Sequence, residues 1–256
     1  VFIGTIHSMA RRILARFGDR LGLSSRVEQP DSAQRRRLSR ESAERHRLFR
    51  TSVADGIDSA IDRAWTTIGV MRHHAVEAPH AVEFAQRALN ELLASPPGKD
   101  DTARDEHESQ VAEAREFLDA AKLYDLAGRE FLARQLVSHD DSIALARRVL
   151  AENKDAAALM RSQWRHIIVD EFQDTDAAQL AIMRELSPPG SRASQLMVVG
   201  DDDQSIYAFR GADERIFHRF AATWKGYQTV PLSTNYRSDP RIVAATEAGG
   251  SSSGGG

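Results

Sequence analysis

Two short apolar runs break an otherwise helical pattern, and both end abruptly in acids and amides. The first, Ile167-Ile-Val169, leads into Asp170-Glu-Phe-Gln-Asp-Thr175. The second, Leu196-Met-Val-Val199, leads into Gly200-Asp-Asp-Asp-Gln-Ser-Ile-Tyr-Ala-Phe-Arg210. Runs of this length predict buried strands of a parallel sheet. Ligands of open α/β sheets bind just outside the carboxyl ends of the strands, so Asp170, Glu171 and Gln204 are expected to stand together on one edge.

The other apolar positions recur with helical spacing. Val1 to Ile6 reads as a short strand, followed by a helix that carries Ile6, Met9, Ile13, Leu14 and Phe17 on one side and Arg11, Arg12 and Arg16 on the other. Gly18 is a plausible C-terminal stop for that helix. From about Ser24 to Gln163 the pattern is helical and polar, with no convincing strand. Segments 57–71, 80–94 and an acidic 104–126 read as helices, and the Pro, Gly and Asp residues of Ser95–Thr102 read as a loop. After the 167–169 strand, Thr175 or Asp176 can cap a helix whose Leu180, Met183 and Leu186 face the core, and Ser187-Pro-Pro-Gly190 ends it. A helix over about 212–224 places Ile216, Phe217, Phe220 and Trp224 in register. Thr229 to Leu232 is a further strand candidate, and Ser238 or Asp239 caps a helix with Pro240 near its first turn. Strands alternating with helices predict an α/β fold interrupted by an all-helical insertion of about 140 residues.

Composition narrows the picture. A chain of 256 residues, 41% apolar and 28% charged, can bury a sizeable core as a soluble globular protein. No apolar run is long enough to span a bilayer, and there is no signal peptide, so no membrane association is expected. The absence of cysteine rules out disulfides and thiolate metal sites and fits a cytoplasmic location. A net charge of −3 argues against wholesale electrostatic binding to nucleic acid, but a local basic face remains open. Segment 34–50 supplies one: Arg35, Arg36, Arg37, Arg40, Arg45, Arg47 and Arg50 against only Glu41 and Glu44. It reads either as a solvated helix face or as a surface that tracks phosphates. His73 and His74 are adjacent and cannot share a helix face, which argues against a metal site there. The start at Val1 and the tail Gly-Gly-Ser-Ser-Ser-Gly-Gly-Gly (249–256) suggest cut ends and an engineered flexible linker.

Asp170-Glu171 after an apolar strand suits a nucleotide-hydrolysing site, in which one carboxylate holds Mg²⁺ and the next orients or deprotonates the attacking water. A strand end followed by a helix cap is the plainer alternative. Tyr207 and Phe209 alternate beside Arg210, where rings can stack on single-stranded bases or, for Tyr207, fill core.

Taken together, Asp170–Thr175, the stretch 200–212 and Leu232–Ser238 resemble the second, third and fourth motifs of superfamily 1 DNA helicases of the UvrD/Rep/PcrA type. Thr5-Ile-His-Ser8 is similar to that family's Thr-Phe-His-Ser segment. The resemblance implies a RecA-like motor domain 1A over 1–23 and 164–227, a helical subdomain 1B over 24–163, and the start of a second motor domain 2A over 228–248. It implies ATP and Mg²⁺ as cofactors: Asp170 binds the metal, Glu171 is the base, and Gln204 senses the γ-phosphate. Tyr236 stacks on adenine and Arg237 acts as an arginine finger. Thr5, His7, Tyr207, Phe209 and Arg210 contact DNA. Phe209 stands where the family usually has tryptophan, so weaker stacking is expected.

No Gly-x-x-x-x-Gly-Lys-Ser/Thr phosphate loop occurs, which makes the parallel-sheet motor domain incomplete by the family's pattern. The expectation is therefore a fragment of an ATP-dependent 3′-to-5′ DNA helicase of repair or recombination. Its expected partners are single-stranded DNA, junctions with duplex, and repair proteins. The alternative is a DNA- or protein-binding module without turnover. A non-motor nuclease explains fewer of the motifs.

Overall fold

A computed structural model describes residues 1–50, 56–98, 100–201, 215–239 and 241–242. The chain divides into two units, Val1–Trp224 and Lys225–Gly256. Within the first unit, the described residues form nine α-helices and two strands: α1 Ile6–Phe17, α2 Ser32–His46, α3 Gly56–His73, α4 Ala78–Ala94, α5 Asp101–Ala133, α6 His139–Glu152, α7 Lys154–Gln163, β1 His166–Val169, α8 Ala177–Leu186, β2 Gln195–Val198 and α9 Ile216–Thr223.

The expected helical stretch is present, and its organising element is α5. At ~1.5 Å per residue its 33 residues span about 50 Å. Leu118 and Ala121 face α4, where they meet Ala81, Ala85 and Leu89, while Leu123, Ala127 and Phe131 pack with Leu38 of α2 and Ile61 and Ile68 of α3. A separate core joins the ends of the chain's first 190 residues. Ile13 and Leu14 of α1, Val149 and Leu150 of α6, Met160 of α7, and Ile182 and Leu186 of α8 form one buried cluster. Helices α6 and α7 thus belong to the same packing unit as the helices that flank the sheet.

β1 and β2 pair in parallel, with Ile167 opposite Leu196 and Val169 opposite Val198. All four are half-buried: Val169, Leu196 and Val198 pack against Phe172, Leu180, Met183, Ile216 and Phe220, and Ile167 packs against the core formed by α1, α6, α7 and α8. Burial on both faces, the sequence-level expectation for such runs, is not what the strands show. Ile168 is 69% exposed and Met197 57% exposed, because the described helices cover only the other face. At the end of α8, Ser194 Oγ donates to the Leu186 carbonyl at 2.7 Å and Trp224 Nε1 donates to the Ser187 carbonyl at 2.8 Å. These bonds satisfy the helix's last carbonyls and tie α8 to β2 and α9.

Two local expectations are corrected. Residues 1–5 form no strand, and α1 begins at Ile6. Residues 229–232 form none either, and Val230 and Leu232 are exposed. In both places an apolar run lacks a neighbouring ladder, and a strand without a partner is not stable in water. Gly18 is the C-cap of α1, as expected. The chain continues as a 3₁₀ turn over Gly18–Leu21, and Gly22, at φ +75°, takes the left-handed conformation that stops it.

Candidate functional site

Pairing continues past the strand ends and shapes the loop that follows β1. Val199 N donates to the Val169 carbonyl at 2.8 Å, and Phe172 N donates to the Val199 carbonyl at 2.9 Å, so residues 170–172 wrap across the end of β2. Asp170 and Glu171 are both exposed at this edge. Asp170 Oδ1 accepts the Glu171 N–H at 3.0 Å. Glu171 sits at φ +49°, a left-handed conformation that costs a non-glycine residue about 1–3 kcal/mol and persists only where its surroundings over-determine it. Those surroundings are visible. Phe172 is fully buried, with the rings of Phe217 and Phe220 edge-on at 5.3 and 5.6 Å. Asp174 N and Thr175 N close a 3₁₀ turn onto the carbonyls of Glu171 and Phe172, each at 3.0 Å.

One functional side chain escaped the sequence reasoning. Gln173 is 4% exposed; its Nε2 donates to Glu171 Oε2 at 2.6 Å and its Oε1 accepts the Asp201 N–H at 3.1 Å. It therefore fixes the Glu171 carboxylate and ties the first acidic loop to the start of the second. The available signal was an amide, both donor and acceptor, placed between two acids and next to an aromatic anchor. The same contact explains Gly200. A Cβ there would press on Gln173 Oε1, on Phe172 N at 3.0 Å and on the Phe217 ring at 3.1 Å.

Beside the free edge of β1 lies a cavity of about 880 Å³. Its walls bring Thr5 and His7 into one space with Asp170 and Glu171, above a floor that includes Gln179 and Met183 of α8. Thr5 Oγ1 caps α1 by accepting the Ser8 N–H at 3.2 Å. His7 stacks on His139 with ring centroids 3.7 Å apart. Burial, and then the neighbouring His139, hold the His7 pKa below the ordinary histidine value, against the pull of Asp140 and Asp176. Such a shift favours the neutral ring, which can form hydrogen bonds but carries no charge.

The remaining site residues are placed as follows. Tyr236, 93% exposed, and Arg237 lie in the second unit, where Asn235 Oδ1 accepts the N–H groups of Arg237 and Ser238 at 2.9 and 3.0 Å and closes a tight turn. Asp239 Oδ1 accepts the Arg241 N–H at 2.9 Å, in keeping with a capping role. Gln204, Tyr207, Phe209 and Arg210 lie outside the described residues. The arginines of α2 are largely matched by acids. Arg36 meets Asp62 at 3.1 Å, Arg40 meets Glu44 and Asp58 at 3.0 Å each, and Arg45 meets Glu130 at 3.6 Å. That favours the solvated, ion-paired face over the phosphate-tracking one.

No group of three or more His, Cys, Asp or Glu with metal-binding geometry occurs among the described residues. The edge nonetheless suits one hard divalent cation. Asp170 is exposed at the mouth of the cavity with one oxygen on the Glu171 N–H and the other oxygen available, and Mg²⁺ is typically held by one or two carboxylates together with substrate phosphates and water.

Residues 1–225 match the family described as the UvrD/REP helicase N-terminal domain. ATP-dependent DNA helicase UvrD1 of Mycobacterium bovis is 39% identical over 132 residues, which are 50% of this chain and 17% of that protein. ATP-dependent DNA helicase PcrA of Leuconostoc citreum is 29% identical over 248 residues, 97% of this chain and 28% of that protein. The RecBCD enzyme subunit RecB of Chlamydia muridarum is 36% identical over 111 residues, 43% of this chain and 11% of that protein. The chain therefore spans less than a third of the length of each of these relatives.

Proposed function

The chain belongs to the UvrD/REP helicase N-terminal domain family, and from that premise we propose that it forms the part of an ATP-dependent DNA helicase where hydrolysis meets the DNA strand. The observation that carries this reading is the shared cavity. Thr5 and His7, the candidate DNA-backbone contacts, open onto the same space as Asp170 and Glu171.

In this reading the α/β elements belong to a RecA-like motor domain over 1–23 and 164–227. Residues 24–163 form a helical insertion whose last two helices, α6 and α7, pack back onto α1 and α8, and a second motor domain starts at about 228. Asp170 holds Mg²⁺, which when bound offsets the charge on the transferring phosphoryl group. Glu171 receives the proton of the attacking water. Gln173 supports this by occupying Glu171 Oε2 and leaving Oε1 for the water. Gln204 senses the γ-phosphate, Tyr236 stacks on the adenine, and Arg237 reaches the γ-phosphate, a role in which an arginine is worth roughly 10³–10⁵ in rate. Tyr207, Phe209 and Arg210 engage single-stranded bases. Translocation from 3′ to 5′, action at single-strand/duplex junctions, repair partners and a cytoplasmic setting complete the proposal. The absence of a membrane-crossing helix among the described residues is compatible with that setting.

A second reading, a DNA- or protein-binding module without turnover, is favoured by one sequence observation: residues 1–256 contain no phosphate-loop motif. The experiment that separates the two is ATP hydrolysis by this chain with and without single-stranded DNA. DNA-stimulated turnover lost in Glu171→Gln supports the motor site. Absence of turnover together with retained DNA binding supports the binding module.

A further inference from the structure

The helical region touches the acidic loop through a buried polar junction where the last turn of α3 meets the first turns of α1, α6 and α8. Asp176 is at its centre and is 5% exposed. Its Oδ1 accepts the Gln179 N–H at 2.7 Å and caps α8, while its Oδ2 lies 2.8 Å from His73 Nδ1 and 3.3 Å from Gln179 Nε2. Between Glu171 and Asp176 the backbone is a 3₁₀ turn over Phe172–Asp174 followed by extended Thr175 and Asp176, with Phe172, Gln173 and Thr175 buried, so a displacement of Asp176 is passed to Glu171 with little slack.

The charges around His73 come from every element packed there. On its own helix, Arg72 is 8% exposed, between the rings of Trp65 and Tyr124 at 5.1 and 5.3 Å. Arg72 Nη2 lies 2.6 Å from Asp141 Oδ1, a charge contact without hydrogen-bond geometry. α6 also contributes Asp140 and His139, and α1 contributes His7, whose Nε2 is 3.9 Å from Asp140 Oδ1, with Arg11 one turn further on. Arg72 is taken up by Asp141, and burial and the stacked His139 disfavour a positive charge on His7. This leaves His73 as the group positioned to balance Asp176.

We propose that His73 is a positioning residue whose protonated form clamps the cap of α8 and thereby holds the loop that carries Asp170 and Glu171. A neutral ring keeps the contact only as its Nδ1–H tautomer and without the charge that strengthens it. The hydrogen bond to Asp176 raises the His73 pKa above the ordinary value, outweighing burial and Arg72. Its stabilising contribution is therefore complete below about 6.5, the unfolded value, and is lost as pH rises through the raised folded value. His7 has the opposite sign: its contribution is present above about 6.5 and is lost as pH falls through its depressed value. The clamp concerns the mobility of the loop and stands whether or not the site turns over nucleotide.

The test is amide hydrogen exchange over residues 170–180, corrected for intrinsic rates, from pH 5 to 9, alongside an NMR titration of the histidine rings of the unmodified chain. Protection should fall by about tenfold as His73 deprotonates, the size of a charge-assisted bond reduced to a neutral one. His74→Gln should keep that step, and His73→Gln should flatten it. Asp176→Asn, which can still cap α8, should bring the His73 pKa down to the ordinary histidine value or below it, because burial and Arg72 remain. A step that persists in His73→Gln, or a His73 that titrates at the ordinary value in the unmodified chain, overturns the proposal. The ring titration requires no variant to fold.

Discussion

Gln173 is the residue through which the geometry of the acidic edge can be tested most directly. Replacing it with methionine conserves volume at a site that is 4% exposed and removes both polar contacts. The bond to Glu171 Oε2 at 2.6 Å is charge-assisted, a class worth about 1.5–3 kcal/mol; Glu171 is exposed, so a contribution of about 1 kcal/mol is appropriate. The bond from Asp201 N at 3.1 Å is neutral and worth about 1 kcal/mol, and its loss leaves an amide facing a thioether. The expected destabilisation is therefore about 2 kcal/mol, which shifts the folded-to-unfolded ratio by a factor of up to about 30. Urea unfolding followed by circular dichroism measures it. A double-mutant cycle with Glu171→Gln isolates the carboxylate contact and should give a coupling above ~0.5 kcal/mol. A loss below ~0.5 kcal/mol in Gln173→Met, with no coupling to Glu171, refutes the role of Gln173 in fixing the Glu171 carboxylate.

The contacts of Gly200 and of the α2 arginines give two further expected outcomes. Gly200→Ala places a methyl against Phe172 N and the Phe217 ring, and such overpacking should cost about 1–3 kcal/mol in urea unfolding; an unchanged midpoint would mean that the two loops separate without penalty. Arg36→Glu with Arg40→Glu breaks exposed pairs to Asp62, Asp58 and Glu44, so the urea midpoint should barely move and the salt dependence of any DNA binding should be unaltered. A flattened salt slope would restore the phosphate-tracking reading of α2.

Several parts of this molecule were legible in one dimension because the information is local. The helices of residues 24–163 follow from apolar spacing, and the start of α8 follows from Asp176, a side chain that can reach the N–H groups of its own next turn. β1 and β2 follow from apolar runs that stop at acids, and the placement of Asp170 and Glu171 beyond β1 follows from chain direction alone. Boundaries such as the end of α5, which runs on to Ala133, depend on what α2 and α3 offer Leu123, Ala127 and Phe131, and no local pattern encodes that.

The tertiary structure alone decided the pairings between distant residues. Whether an apolar run becomes a strand depends on a neighbouring ladder. Ile167–Val169 found one in residues 195–198, whereas residues 1–5 and 229–232 did not. The arginines of α2 read as a free basic face until α3 and α5 supplied Asp58, Asp62 and Glu130. Gln173, inside the Asp170–Thr175 motif, and His73, outside any motif, each acquire a role because folding places a carboxylate within 3 Å, two and 103 positions away respectively. Residue type and spacing set which groups this chain can use. The long-range contacts, whose energies depend on distance and burial and not on order along the chain, set which of those groups meet.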